Sequence, residues 1–347
     1  MSKPITLQDI ANQLGISKVS VSKALRGQAD IGKATTAKVI ALAEELGYRP
    51  NILARKLSAK HTRTIGLVVP KIAHNFLAQS IDAIYTLANE KNYEIVMMVS
   101  EEDELLEQRH LETLLSLRVD GLLLSVTEKT SDLDIFKKVS RSGTPLVFFD
   151  RVIEDLGFTC ISSADFTGST DLVNHAIQQG YQSIGHIGGY QNVSIGRNRY
   201  AGYLEALGKN RLTPVEEHVV FGGFSEADGY AGLQKIYNSG SLPELIFAVT
   251  YPVALGVLSC ARDLGISIPH DLDLICFGSS VYNQFISPSI TGINPPAERV
   301  GSTALEHLLM QIEDPAQTKI ENVIVPIEIT YADTCIKRVQ NKKEFHV

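Results

Sequence analysis

The sequence lacks the features that mark several protein classes. Its four cysteines show no paired spacing, so neither a disulfide framework nor a cysteine metal site is expected. No apolar run approaches the roughly 18 residues that a membrane helix needs. The first residues also lack the apolar core of a signal peptide. These absences predict a cytoplasmic protein with no membrane partner.

Catalytic signatures are also missing. The chain contains no Walker loop and no HExxH, GxSxG or GxGxxG motif. The glycine-rich stretch GHIGGY, residues 185–190, follows an apolar run and is explained by a strand-end turn. We therefore expect no catalytic residue, no metal and no cofactor. A sugar-processing enzyme stays an alternative, because carboxylates are plentiful and sequence alone cannot pair two of them across a site.

Charge is distributed unevenly along the chain. The 347 residues carry a net charge of −7 and suit two or three domains. Residues 1–63 contain eleven Lys and Arg against four acidic residues, so this segment carries +7 and the remainder carries −14. A basic head on an acidic body indicates phosphate binding at one end of the chain.

Three short helices are predicted within residues 6–47. Thr6 can cap the first, with Asp9 three residues later as an imperfect capping box, and Gly15 can end it. Ser17 is a suitable N-cap for the second helix, KVSVSKAL. A helix, a tight glycine turn and a polar-faced helix are typical of the helix-turn-helix, whose second helix enters the major groove of DNA.

The polar face of the second helix suits base recognition. Lys18 and Lys23 can donate to guanine, and Val19 can contact a thymine methyl. A three-helix bundle that binds no DNA gives the same short pattern, so the helices alone leave both possibilities open.

Two stretches carry a resemblance to a known family. TLQDIANQLGISKVSVSKALRG resembles the head of the lactose-repressor/galactose-repressor family of bacterial transcription regulators, and ELGYRPNILARKL resembles its hinge helix. The resemblance implies base reading by Lys18, Val19 and Lys23, although the family more often has Arg at the last position. It implies that Leu57 wedges between the central base pairs of a near-palindromic operator, although an ordinary apolar linker residue would also explain this leucine. The full set of expected DNA-binding residues is Thr6, Ser17, Lys18, Val19, Ser22, Lys23, Asn51, Ala54 and Leu57.

Beyond residue 63, short apolar runs alternate with helical stretches. Continuous apolar strands between helices predict parallel sheets covered on both faces. The run repeats after a crossover, with FTCISS opening the second series. The fold class is therefore α/β, with an N-terminal helix-turn-helix domain at 1–49, a hinge helix and linker at 50–63 and a two-lobed core at 64–347.

The family resemblance implies that this core has the periplasmic sugar-binding fold. Pro295–Met310 is then expected to return to the first lobe, and the strand NVIVPIEI to join the second. The expected lobes are about 64–161 plus 294–318, and about 162–291 plus 321–331.

A ligand in such a fold lies at the carboxyl ends of the strands, in the cleft between lobes. Asp150 and Arg199 match effector-contacting positions of the family, although a loop cap or an inter-lobe ion pair would also explain them. Phe76 and Phe224 can stack on an apolar sugar face. The expected effector-binding residues are Phe76, Asp150, Arg199, Phe224, Thr250, Tyr251 and Gly278.

Two departures from the family concern this cleft. Thr250 and Tyr251 stand where the family usually has Asn-Asp, and Gly278 and Ser279 stand where it has an Asp pair. Loss of a carboxylate, with Arg199 and Arg151 retained, favours the hypothesis of an anionic effector such as a sugar acid or sugar phosphate. A neutral sugar bound by other contacts explains the same residues.

The sequence predicts a DNA-binding transcription regulator, more specifically a repressor, that is controlled by a sugar-like effector. Two half-sites one helical turn apart require a homodimer. The residues after 332 form no leucine heptad, so a dimer is expected and not a tetramer joined by a coiled coil. A solute-binding protein without DNA function is the second alternative; the basic head opposes it.

Overall fold

The structure is a computed structural model that describes residues 5–25, 27–28, 30–48, 61–73, 75–316 and 319–336. The chain divides between Thr62 and Arg63 into two compact units. The predicted hinge residues Asn51, Ala54 and Leu57 lie outside the described residues. No helix within the described ranges is long and apolar enough to cross a membrane.

The described residues of the first unit form three helices, α1 (Leu7–Leu14), α2 (Lys18–Leu25) and α3 (Lys33–Glu45). The capping box of α1 is complete, since the Thr6 hydroxyl accepts from the Asp9 amide at 3.4 Å and the Asp9 carboxylate accepts from the Thr6 amide at 2.8 Å. Gly15 ends α1 with a φ of 64°, and the Ser17 hydroxyl accepts from the Ser20 amide at 3.0 Å. The capping predicted from the sequence is confirmed at each of these positions.

Small and branched apolar side chains fill the space between the three helices. They are Ile10, Ala11, Val21, Ala24, Val39 and Ala43, all buried. Removing these side chains from water holds α2 against its neighbours although the helix has only eight residues, too few for stability alone.

The second unit is built on two six-stranded sheets. The first lobe contains β1 (Thr64–Val69), α4 (Asn75–Glu90), β2 (Glu94–Val99), α5 (Glu104–Ser116), β3 (Gly121–Leu124), α6 (Asp134–Ser142), β4 (Leu146–Phe149) and β5 (Thr159–Ser163). The second contains α7 (Asp165–Gln178), β6 (Ile184–Gly188), α8 (Ser194–Lys209), β7 (Val219–Phe221), α9 (Glu226–Asn238), β8 (Leu245–Ala248), α10 (Tyr251–Leu264), β9 (Asp273–Phe277) and β10 (Thr291–Asn294). The chain ends with α11 (Ala297–Glu313), β11 (Asn322–Val325) and β12 (Glu328–Thr330).

The strand order is β11-β5-β4-β3-β1-β2 in the first sheet and β12-β10-β9-β8-β6-β7 in the second. Among the strands that the structure describes, all pairs of the first sheet are parallel, and in the second sheet only the β10–β12 pair is antiparallel. Strands β1, β3, β4, β6, β8 and β9 are buried along their whole length, because helices cover both faces. The predicted α/β class and two-lobed core are confirmed.

Two predicted strand assignments are wrong. The segment FTCISS forms β5, which pairs with β4 and therefore belongs to the first sheet, before the chain crosses over. The segment NVIVPIEI does not join the second sheet as one strand. Its first half, β11, pairs with β5, and only its second half, β12, pairs with β10. Pro326 separates the halves, and a proline cannot donate to a sheet hydrogen bond, so the ladder stops there.

The chain therefore crosses between lobes three times, after β5, after β10 and after β11. After the second crossing, α11 packs on α4 of the first lobe. The Ser80 hydroxyl donates to the Ala297 carbonyl at 2.9 Å, and a Cβ at Gly301 would lie 2.3 Å from the Ser80 carbonyl oxygen. These crossings bring the carboxyl ends of both sheets to one cleft.

Candidate functional site

The first unit presents part of α2 to solvent. Lys18 is exposed and Val19 is 63% exposed, although valine is usually a core residue. Ser22 and Lys23 are partly buried, and the Lys23 ammonium forms an ion pair with Asp30. Thr6 and Ser17 serve as helix caps. The exposed end of α2 is thus its N-terminal turn, the part of a recognition helix that reaches base edges.

The second unit contains a cavity of about 730 Å³ between its lobes. All seven predicted effector residues line it. Phe76 and Asp150 come from the first lobe, and the second lobe supplies Arg199, Phe224, Thr250, Tyr251 and Gly278. The volume lies within the range of small-molecule sites. These positions converge because each lies after a parallel strand or in the first two turns of the next helix, at the same edge of its sheet.

Asp150 follows β4 directly and has a φ of 60°, in the left-handed region that aspartate tolerates better than most side chains. Burial raises the pKa of its carboxyl to about 6, against the opposing effects of Arg151 and Arg199. The Ser125 hydroxyl lies 3.4 Å from Oδ2, a long hydrogen bond. The carboxylate therefore has capacity to accept further donors within the cavity.

Arg199 lies on α8 at the opposite wall. Its Nε donates to Asp165 Oδ1 at 2.8 Å, its Nη1 donates to the Val249 carbonyl at 2.8 Å, and its guanidinium carbon stands 3.8 Å from the centre of the Phe277 ring. These contacts fix the plane of the guanidinium. Its Nη2 group has no acceptor among the described residues.

Arg151, next to Asp150, is also paired. Its Nη1 donates to both carboxylate oxygens of Glu102 at 2.9 Å, and its guanidinium carbon stands 5.0 Å from the centre of the Phe224 ring. Because Phe224 belongs to the second lobe, this stacking joins the lobes. Further links run from Val152 to Ser194 at 3.0 Å and from Asn75 to the Ser279 carbonyl at 3.3 Å.

Aromatic rings form much of the remaining wall. Phe224 is buried, and Gly189 makes room for it, since a Cβ there would lie 2.0 Å from the ring. Phe76 is half-buried. Thr250 caps α10 and also donates to the Phe224 carbonyl at 3.2 Å, so it supports the ring as well as lining the cavity.

Gly278 lies directly beside Tyr251. Its φ is 144°, and a Cβ there would lie 2.7 Å from the Tyr251 amide nitrogen. The local backbone therefore requires glycine, and a carboxylate could enter this position only with a change of main-chain conformation.

Replacing Gly278 by Ala is expected to destabilise the protein by about 1–3 kcal/mol, because it strains the backbone and crowds Tyr251. Chemical unfolding of the full chain measures the effect. Gly208→Ala is the control, since Gly208 lies in α8, where a Cβ would meet no atom within 4 Å, and the change should not destabilise. Equal stability of the two variants would contradict this explanation of Gly278.

Sequence reasoning missed the two carboxylates behind the arginines, Glu102 and Asp165. Each follows a strand, but so do many polar residues, and nothing local shows that Asp165 meets an arginine 34 residues away. Among the described residues, no group of three His, Cys, Asp or Glu side chains could hold a metal ion.

Known protein families match both units of the chain. Residues 6–51 match the model of bacterial regulatory proteins of the lacI family, and residues 173–335 match the periplasmic binding protein-like domain. The HTH-type transcriptional repressor PurR of Pectobacterium carotovorum subsp. carotovorum (strain PC1) is 32% identical over 309 residues, 88% of this chain and 90% of that protein.

Two further proteins extend the comparison. Catabolite control protein A of Priestia megaterium is 27% identical over 308 residues, 88% of this chain and 91% of that protein. The crystal structure of the lac repressor dimer bound to operator and the anti-inducer ONPF has a TM-score of 0.83 at 23% identity, covering 96% of this chain and all of that one (100%), which shows the same fold. The chain therefore belongs to the lacI family of bacterial regulatory proteins, as a DNA-binding transcription repressor with a small-molecule effector.

Proposed function

We propose that the exposed turn of α2 reads operator DNA and that the cavity between the lobes binds a sugar-like effector. The observation that carries the proposal is the convergence of a carboxylate, a guanidinium and aromatic rings from both lobes on one cavity. A carboxylate accepts hydrogen bonds from sugar hydroxyls, and a guanidinium donates hydrogen bonds to them. Aromatic rings cover the apolar face of a sugar.

Lys18 and Val19 are the principal base contacts in this proposal. Lys18 donates to guanine and Val19 contacts a thymine methyl. Lys23 is paired with Asp30, so it contacts DNA only after giving up that ion pair. Asn51, Ala54 and Leu57 are proposed to contact the centre of the operator, on the strength of the sequence alone.

The effector is proposed to act on the balance between arrangements of the two lobes. Asp150 and Arg199 belong to different lobes, so a ligand that bonds both favours the arrangement in which they are close. A ligand shifts such an equilibrium only by its difference in affinity for the two states. We propose a cytoplasmic regulator and not an enzyme, because the relatives of the chain are transcription regulators.

A homodimer is proposed because a near-palindromic operator presents the same half-site twice. The second unit offers a surface for it. Strand β2 is the edge of the first sheet and exposes Met97 (40%), beside Tyr85 (63%) of α4 and Ile72 (49%) of the segment before α4. These side chains surround an apolar groove, and a continuous apolar patch is typical of a protein interface.

Selection from a random DNA library, followed by gel shifts of the full chain, tests the regulator proposal. We expect a near-palindromic sequence, two chains per operator and an affinity that falls steeply with salt, as phosphate contacts require. Absent or salt-insensitive DNA binding would overturn the DNA part of the proposal. Thermal shifts with a panel of sugars test the effector part separately, since ligand at about 100 times its Kd adds roughly 2.7 kcal/mol.

Effector affinity is expected to fall as the pH drops below about 6, because protonation of Asp150 removes an acceptor for sugar hydroxyls. The effect on folding has the opposite sign. The folded-state pKa of Asp150 lies above its ordinary value of 3.8, so this group stabilises the folded state at low pH and the contribution is lost as the pH rises through 6.

Titration of the sugar that gives the largest thermal shift, between about pH 5 and 8, measures the dependence. Arg151, Arg199 and Asp165 are the charged groups that act on Asp150. The Asp150→Asn variant should bind more weakly and show a flatter pH profile. An unchanged profile in this variant would assign the titration to another group.

A further inference from the structure

The charge of Arg199 is already balanced before any effector enters. Its ion pair with Asp165 joins Nε to Oδ1 at 2.8 Å, and the two side chains are only 6% and 2% exposed. Arg199 lines the cavity, whereas Asp165 lies behind it and is not part of the wall. A ligand therefore meets the N–H groups of Arg199 together with the field of a nearby carboxylate.

Asp165 is held in place by the end of β5 and the start of α7. It is the first residue of α7, and Oδ1 accepts a second hydrogen bond from the Ser163 hydroxyl at 3.2 Å. Oδ2 has no hydrogen-bond donor among the described residues. Burial raises the pKa of this carboxyl, while contact with Arg199 favours its ionised form. The arginine is thus the main partner that keeps the carboxylate charged.

The other charged groups around the cavity also leave no net positive charge there. Arg151 is paired with Glu102 through two contacts of 2.9 Å, with side chains only 2% and 7% exposed. Asp150 lines the cavity and forms no ion pair with any described residue, so it brings a further carboxylate. Two guanidinium groups and three carboxylates therefore share this buried region. An anionic ligand would add a fourth negative group where the dielectric constant is low.

We propose that Asp165 is a specificity-determining residue. Its carboxylate balances the charge of the Arg199 guanidinium, so that the ion pair offers hydrogen-bond donors without net positive charge and restricts the cavity to uncharged polyols. The inference rests on the proposed effector site. It favours the neutral sugar over the sugar acid or sugar phosphate that the loss of a family carboxylate suggested. Asp165 acts through Arg199 and makes no contact with the ligand.

The test compares wild type with Asp165→Asn, which keeps the oxygen that accepts from Arg199 Nε and removes the charge. The probes are matched pairs, glucose with glucuronate and galactose with galacturonate, and inorganic phosphate as a simple anion. Asp171→Asn is the matched control, because it removes the same charge from the exposed side of the same helix. Calorimetry gives the ratio of anion affinity to neutral-sugar affinity.

We expect wild type to bind neither acid more tightly than its neutral partner and to gain no stability from phosphate. In Asp165→Asn the affinity for at least one anion should rise about tenfold, a change worth roughly 1.4 kcal/mol. Asp171→Asn should behave as wild type. A folded Asp165→Asn protein without gain for any anion would overturn the proposal, and so would a wild-type preference for an acid.

Further measurements separate other causes. Asp165→Glu keeps the charge and should retain the wild-type ratio. If Asp165→Asn does not fold, the affinities of wild type for the matched pairs still test the proposal. Tighter binding of a sugar acid than of its neutral partner contradicts it. Failure of the effector site itself has a different signature. In that case no neutral sugar stabilises wild type. Any increase in anion affinity that Asp165→Asn shows over wild type then persists when Arg199 is also replaced by Gln.

Discussion

Replacing Arg199 by Gln is expected to destabilise the protein by about 3–5 kcal/mol and to abolish stabilisation by the effector. The substitution leaves Asp165 as a buried carboxylate without its ion-pair partner, and the carbonyl of Val249 loses its donor. It also removes the guanidinium from the wall of the cavity. Chemical unfolding of the full chain, with and without the best sugar of the thermal-shift panel, measures both effects.

A second substitution separates stability from binding. The double variant Asp165→Asn/Arg199→Gln should recover most of the lost stability, because no unpaired charge remains, but it should not recover neutral-sugar binding. Arg262→Gln is the control, since this side chain is 79% exposed and should change stability by less than about 0.5 kcal/mol. A stable Arg199→Gln protein with intact sugar binding would show that the ion pair supports neither property.

Replacing Lys18 by Ala is expected to weaken operator binding by about 1–3 kcal/mol, roughly fivefold to over a hundredfold, and to relax sequence specificity. Lys18 lies in the exposed first turn of α2, where a recognition helix meets base edges. Gel shifts on the selected operator and on random DNA give the ratio of specific to non-specific binding.

Lys38→Ala provides the comparison, because it removes the same charge from an exposed position of the same unit, on α3. It should weaken specific and non-specific binding alike and leave their ratio unchanged. If Lys18→Ala also leaves the ratio unchanged, Lys18 contacts phosphate and not a base, and the assignment of α2 as the reading helix loses its main support.

The helix caps and the buried strands were predictable because local sequence signals encode them. Thr6, Asp9, Gly15 and Ser17 act within one turn of their own helix, so caps and helix ends were readable, and the buried parallel strands were readable from their continuous apolar runs. The seven cavity residues were found by position after strands and by family resemblance, and they do line one cavity.

Long-range pairing accounts for what was missed. The strand partners β5 and β11 lie far apart in the chain, with Cys160 opposite Asn322, and no local pattern encodes such a contact. Glu102 meets Arg151 across 49 residues, and Asp165 meets Arg199 across 34. The sequence favours an anionic effector because a family carboxylate is lost near Gly278, but the fold places the two buried acids Glu102 and Asp165 behind the arginines. Charge balance in a buried site depends on contacts between residues that are distant in the chain, and local sequence does not show these contacts.

A ligand in the cavity is expected to alter the affinity of the protein for DNA. The most direct measurement is the operator Kd of the full chain, with and without a saturating concentration of the best-binding sugar. We expect a change of at least about fivefold in wild type, within the usual range of allosteric coupling, and none in the Asp165→Asn/Arg199→Gln variant. A sugar that binds wild type while the operator Kd stays the same would contradict the claim.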